Sequence, residues 1–177
     1  MNIPNLKLIH SILKRHLNQN VAVVLFSGNK IIDVIFGENI VTDAGDEYYA
    51  QKACTETPTH VFSDMYLASA GPGTPAKGDL RSAFTDISGS AKAKTSGYPK
   101  TNDADADNPG MTTDTMTWLF SYTSGDGNWS GITHAYVTIN APGAAEHLLS
   151  SIKFAATWAK DSSTSAKIFV NHTELGV

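Results

Sequence analysis

The chain has 177 residues, of which 41% are hydrophobic and 9% aromatic, enough for a packed core and incompatible with wholesale disorder. Charged residues are only 17%; the polarity comes from 16 Ser, 18 Thr and 11 Asn, which with 14 Gly and 7 Pro favour short strands and many turns. A net charge of -4 gives no basic field for nucleic acid, and a single cysteine, Cys54, excludes both an intramolecular disulfide framework and a cysteine-based zinc cage.

Residues 1–20 carry Lys7, Lys14 and Arg15 and no acid, so they hold +3 against -7 for the remainder. Leu6, Ile9, Leu13 and Leu17 recur at spacings of three and four, and Pro4 is tolerated in a first turn, so the spacing predicts an amphipathic N-terminal helix. Such a helix packs on its own domain or serves as an arm docking on a neighbouring subunit. Lys14, Arg15 and His16 interrupt the apolar run that a signal peptide needs, and no apolar stretch approaches the ~18 residues of a membrane helix. A reducing cytoplasm is the expected setting of synthesis.

Val21–Phe26 and Lys30–Ile35 flank Ser27-Gly28-Asn29 as a hairpin, with glycine supplying positive φ. Asp43 is then expected to cap a short helix, Ala44–Ala53, giving a helix near residues 43–53. From about residue 60 the period becomes two. Val61, Ser63, Met65 and Leu67 share one phase, as do Met116, Trp118, Phe120 and Tyr122, then Thr133, Ala135, Val137 and Ile139. Ile152, Phe154, Ala156 and Trp158 form a further strand, although Ala144–Ile152 also suits a helical turn, and Ala166–Val170 closes the chain. These strands, joined by loops rich in Gly, Pro, Ser and Asp, predict a mainly-β fold: an antiparallel β-sandwich or jelly-roll-like domain. The expected organisation is residues 1–37 as N-terminal helix plus hairpin and residues 38–177 as the sandwich.

Gly89 to Thr115 contains only Tyr98 and Met111 as large apolar residues, a connection longer than most and suited to docking. Within it, Asp103, Asp105, Asp107 and Asp114 match the oxygen spacing of a calcium loop. Asn108 in place of the central glycine, Asp114 in place of glutamate and the lack of flanking helices depart from that pattern. The competing reading is a solvated acidic turn. Apart from this candidate Ca²⁺ site no cofactor is expected.

The six histidines form no metal-ligating pair by spacing, and His134 and His172, the latter placed after the last strand, read as structural. Ser63-Asp64 and Gly89-Ser90 lack a nucleophile motif, and Cys54 reads as a buried or half-buried small residue, so no enzyme is expected. Gly71-Pro72-Gly73-Thr74-Pro75 lacks the Gly-Lys-Ser/Thr ending of a phosphate loop and reads as a turn, as does Gly125-Asp126-Gly127-Asn128. Trp129 at its edge is either a lid on the core or an interface anchor. Lys77, Arg81, Lys92, Lys94 and Lys100 make a mildly basic stretch without the stacking aromatics of a nucleic-acid binder. The glycosylation-type triplets at Asn128 and Asn171 mean little without a secretory route.

Asn39-Ile40-Val41-Thr42-Asp43-Ala44-Gly45-Asp46 running into Tyr48-Tyr49-Ala50, Pro75-Ala76-Lys77-Gly78-Asp79, Gly97-Tyr98-Pro99-Lys100-Thr101-Asn102-Asp103, Thr117-Trp118 and Ile168-Phe169-Val170-Asn171-His172-Thr173 resemble a family of small tailed-bacteriophage virion proteins. The resemblance covers about residues 38–177. It implies an all-β structural component of the virus particle with no chemistry to carry over. The expected function is thus a capsid decoration (cement) protein, partnered by the major capsid protein and by copies of itself, without membrane or nucleic acid. A neck, tail or baseplate adaptor is the alternative within that class; a carbohydrate-binding sandwich using Trp118, Trp129 or Trp158 is the alternative outside it.

Overall fold

A computed structural model describes residues 21–101, 115–143 and 145–173. The described residues open with β1 (Val21–Ser27) and β2 (Lys30–Val41), joined by the expected turn with Gly28 at φ +58°. A bulge between Leu25 and Phe26 adjusts their register. The second strand runs six residues past Ile35, because its far half, Gly37 to Val41, finds a second partner in β9 (Ser150–Lys160). Gly37 suits that approach: a Cβ there would sit 2.7 Å from the Lys153 carbonyl oxygen. The expected division at residue 37 falls inside β2, and the hairpin belongs to the same sheet as everything that follows.

Helix α1 (Asp43–Ala53) follows at once. Its N-cap is Thr42 rather than Asp43. Thr42 Oγ1 accepts a hydrogen bond from Gly45 N at 3.2 Å, while Asp43 and Asp46 occupy the first turn, where the helix dipole favours acids. Cys54, which ends the helix, is exposed rather than buried, since the chain leaves the sheet surface there and turns through Thr55 at φ 59°.

The remaining strands are β3 (Asp64–Ala70), β4 (Thr85–Asp86), β5 (Lys92–Ala93), β6 (Lys100–Thr101), β7 (Thr115–Tyr122), β8 (Trp129–Thr138), β9 and β10 (Ser165–Thr173). All belong to one antiparallel sheet in the order β4-β3-β8-β9-β2-β1-β10-β7-β6, with β5 paired beside β4 on the edge of β3. The sheet curls into a half-barrel, which is how the mainly-β class expected from the sequence is realised. The stretch from residue 92 to 95 ties its two ends together: Lys94 N donates to Ser63 O beside β3, and Thr95 N donates to Leu119 O in β7 at 2.8 Å.

The concave face holds the main core, including Val21, Val23, Met65, Leu67, Trp118, Phe120, Ile132, Val137, Ile152, Phe154, Ile168 and Val170. Two expected phases break down locally. Val61 is 70% exposed and Phe62 takes its place inside, because the strand begins only at Asp64. In β9 Ala156 is exposed where the ladder to β8 slips its register, and the inward phase resumes at Trp158 and Lys160. No helix forms over the described residues 145–149; Leu148 and Leu149 are fully buried and His147 bridges to Leu80.

Candidate functional site

The convex face of the half-barrel divides into two halves that differ in what lies on them. Over β3, β8 and β9 the chain from residue 71 to 84 forms a second layer, held by polar ties with the help of β4 at the sheet edge. Tyr66 and Tyr136 stack on this face with centroids 5.4 Å apart and planes within 3°, and Phe84 closes on Tyr136 at 4.8 Å. Tyr136 Oη donates to Asp86 Oδ1 at 2.7 Å, and Arg81 reaches both groups: Nη2 to Asp86 Oδ2 at 2.7 Å, Nε to Tyr136 Oη at 3.3 Å. Burial, reinforced by the Asp86 carboxylate, pushes the Tyr136 hydroxyl far up, so it stays protonated, donating to Asp86 while accepting from Arg81. Asp79 accepts from Ser151 Oγ on β9 and from Ala76 N, fixing the middle of the layer. At its start, His134 lies between Thr133 Oγ1 and the Pro72 carbonyl, at 2.8 and 3.1 Å. Burial lowers the His134 pKa against the pull of that carbonyl, so the ring is neutral near pH 7, in keeping with a structural role. Gly71 is required beneath it, since a Cβ there would meet the His134 ring at 2.9 Å and Phe84 at 2.8 Å.

Over β2 and β1 the convex face is apolar, and over β10 and β7 it alternates between apolar Phe169 and Leu119 and polar Lys167, Asn171, Thr117 and Ser121. Directly paired residues share a face, so Ala22, Phe169 and Leu119 form one cross-strand row, with Val34 and Val24 in the next. Val24, Phe169 and Leu119 make a second buried cluster with Tyr98, and Phe26, Ile31 and Val34 pack against it. This explains the unbroken apolar run of β1, which is buried on both sides. Tyr98 comes from the stretch beside β6. Thr95 Oγ1 lies 2.9 Å from Ser121 Oγ, Tyr98 N donates to Thr95 O, and Lys100 Nζ stands 4.6 Å above the Tyr98 ring.

Titratable side chains gather in three further places. A cleft beside the start of α1 is lined by Asp43, Glu47, His60, Lys77, Asp79 and His147. There the two imidazole centroids are 5.1 Å apart and His60 Nδ1 is 3.8 Å from Glu146 Oε1. Among the described residues no three His, Cys, Asp or Glu side chains converge to hold a metal ion. Inside the barrel, Trp118 Nε1 donates to Tyr49 Oη at 2.8 Å, and Tyr49 Oη lies 2.6 Å from His172 Nδ1. His172 belongs to β10 instead of following it; burial drives its pKa down to about 3, and its Nε2 has no hydrogen-bond partner. At one end of the sheet Lys160 is buried and donates to the carbonyls of Gly127, Asp161 and Ser124 at 3.0, 3.3 and 3.4 Å. Burial lowers its pKa, with Asp126 and Asp161 opposing.

Trp129 is half-buried above this lysine, 5.5 Å from Nζ, and meets Tyr122 edge to face at 5.7 Å. Gly127 lies under it, where a Cβ would come within 2.7 Å of the indole. Trp118 and Trp158 are core residues, so of the three tryptophans only Trp129 presents a ring at the surface. The basic stretch is not a patch: Lys77 pairs with Asp46, Arg81 with Asp86, and Lys92 with Asp126 at 2.7 Å. Burial resists ionisation of Asp126, but Lys92 together with Thr123 outweighs it and lowers the pKa. Ser63 Oγ donates to the adjacent Asp64 carboxylate, and Asn171 is buried with Oδ1 accepting from Thr117 Oγ1 at 2.8 Å. The acidic calcium candidates Asp103, Asp105, Asp107 and Asp114, and the candidate interface residues Leu6, Ile9, Leu13 and Leu17, lie outside the described residues.

Sequence reading missed Lys160 and the Arg81–Asp86–Tyr136 triad, and it set His172, read as structural, one step beyond the last strand. Lys160 and the place of His172 were detectable, because each continues the inward phase of its strand, after Trp158 and after Val170. The triad joins residues 50 positions apart, and nothing local marks it.

These features define a class of fold: one antiparallel sheet curled into a half-barrel, with loops fastened to its convex side. In comparisons with protein-family models, curated proteins and solved structures, no match was found.

Proposed function

We propose that the chain is a non-enzymatic structural component of a tailed-bacteriophage particle, specifically a capsid decoration (cement) protein that binds across contacts between capsid subunits. The proposal starts from the phrases in residues 38–177 that resemble small virion proteins. The observation that carries it is how the charged side chains are used. Lys77–Asp46, Arg81–Asp86, Lys92–Asp126 and the Asp79–Ser151 hydrogen bond each fasten one segment to another. Loops pinned in this way lose little conformational freedom on docking, so weak contacts repeated over a symmetric lattice add up without a large ordering cost. In this reading the partners are the major capsid protein and further copies of the chain, and the location is the virion.

The test is the copy number of the polypeptide in purified particles, by quantitative mass spectrometry against the major capsid protein. One copy per capsid subunit, or per few subunits, supports decoration of the shell. About six or twelve copies per particle replaces it with a neck, tail or baseplate ring. Absence from the particle sinks the virion reading altogether.

A further inference from the structure

We propose that the chain binds a saccharide in a cleft on the convex face, at the end of the sheet where β1 and β7 finish and β10 begins. The inference does not depend on the virion reading, and the site uses none of the tryptophans. The cleft has a volume of about 630 Å³, inside the range of about 300–1,000 Å³ usual for small-molecule sites. Strand register sets its floor. Phe26 pairs with Ser165, and Lys167, two residues further along β10, pairs with Ser121, so these four side chains share the convex face. Three connections leaving the sheet at this end form the rim: Gly28-Asn29, Thr123-Ser124 and Ser162-Ser163.

Three features select a saccharide. First, hydroxyl and amide side chains dominate the lining, and among the described residues it contains no carboxylate and one charged group, Lys167. A serine hydroxyl both donates and accepts, as does a sugar hydroxyl, so the two pair in either sense. A divalent cation would lack the carboxylates that hold it, and an apolar molecule would strip water from the hydroxyls without replacing their hydrogen bonds. Second, Phe26 packs on the cluster around Val24 yet is only half-buried, which leaves apolar surface in the floor for the C–H face of a pyranose ring. Third, the rim is fixed in advance. Asp161 Oδ1 accepts from Ser163 N at 2.8 Å and from Ser163 Oγ at 2.7 Å, and Asp126 Oδ2 accepts from Thr123 Oγ1 at 2.9 Å and from Lys92 Nζ at 2.7 Å. Loops already ordered lose little freedom when a ligand docks, and exposed Asn29, Ser124 and Ser162 on this rim present hydrogen-bonding groups to it.

The experiment uses the full chain, isotopically labelled for amide NMR and titrated to millimolar concentration with maltohexaose, cellohexaose, chitohexaose and hexagalacturonate. At least one of the four is expected to shift the amides of Asn29, Ser124, Ser162 and Ser165 while leaving those of the layer around Phe84 and His134 in place. No shift with any of them, or shifts confined to another part of the surface, would overturn the proposal. Inorganic phosphate moving these amides where no saccharide does would replace it with an oxyanion site at Lys167. The variant Ser162→Arg, at an exposed rim position, is expected to weaken binding of the active saccharide by about ten-fold or more with the melting temperature unchanged. Undiminished binding by that variant would also overturn the assignment to this cleft.

Discussion

Burial keeps the His172 imidazole neutral down to about pH 3, whereas in the unfolded chain it titrates near 6.5. Between those values the unfolded state holds a proton that the folded state refuses. Stability is therefore complete above about pH 6.5 and is lost as pH falls towards 3, by up to about 1.4 kcal/mol per pH unit. His134, also lowered by burial, acts in the same direction. Melting temperature should fall between pH 7.5 and pH 5, and His172→Leu should flatten that fall by nearly one proton while lowering stability at pH 7.5, because the hydrogen bond between Tyr49 Oη and the imidazole is lost. An unaltered pH slope in the variant would disprove the assignment. The Arg81–Asp86–Tyr136 triad gives a second prediction at this scale. Asp86→Ala leaves a buried Tyr136 hydroxyl without its acceptor and should cost about 1–3 kcal/mol in chemical denaturation. Adding Tyr136→Phe should then cost less than it does in the native background, since the orphaned hydroxyl is removed with its ring retained.

The elements show how neighbours override local preference. At Gly45, inside α1, replacement by alanine would ordinarily gain about 1 kcal/mol of helix propensity. Here an added Cβ would collide with the Leu149 carbonyl oxygen, the one that also accepts Thr42 N, so backbone must move. Gly45→Ala should instead destabilise the protein by about 1–3 kcal/mol. A stabilised Gly45→Ala protein would show that α1 can slide away from the chain leading into β9. Thr42 caps the helix and also donates to the Leu148 carbonyl, so Thr42→Ala should cost about 1 kcal/mol or somewhat more, with Thr42→Ser retaining most of it. Equal losses in the two variants would mean that packing of the methyl group, and not the hydroxyl, holds this junction.

Across the whole molecule, the half-barrel is kept curled by the short segment that touches both ends of its sheet. Thr95 N donates to Leu119 O, and Lys94 N donates to Ser63 O on the opposite edge. Thr95→Pro removes one of these donors and should lower stability by about 2–3 kcal/mol. Thr95→Ala, which loses only the hydroxyl contact with Ser121, should cost about 1 kcal/mol. Hydrogen exchange should report the difference in place: faster exchange in β7 and β3 for the proline variant, and little change in β2 and β9 at the centre of the sheet. Uniform acceleration throughout would indicate that the two edges do not open separately from the centre.

The sequence by itself determined the mainly-β class, the hairpin at Gly28, the helix over residues 43–53 and most inward-facing side chains, because each of these follows from a local period or a local turn residue. It also contained the two-sided burial of β1, in the run Val21–Phe26, and the inward positions of Lys160 and His172. What only the tertiary structure decided depends on partners distant in the chain. The extension of β2 needs β9, the cap at Thr42 is reinforced by Leu148, and the Arg81–Asp86–Tyr136 ties need β8 beneath the layer from residue 71 to 84 and β4 beside β3. The conversion of a basic stretch into separate ion pairs likewise waited on where α1 and the turn at Asp126 come to rest. Periodicity is a property of neighbours along the backbone; pairing of charges and closure of a sheet are properties of distance in space, and that distance is set only once the chain has folded.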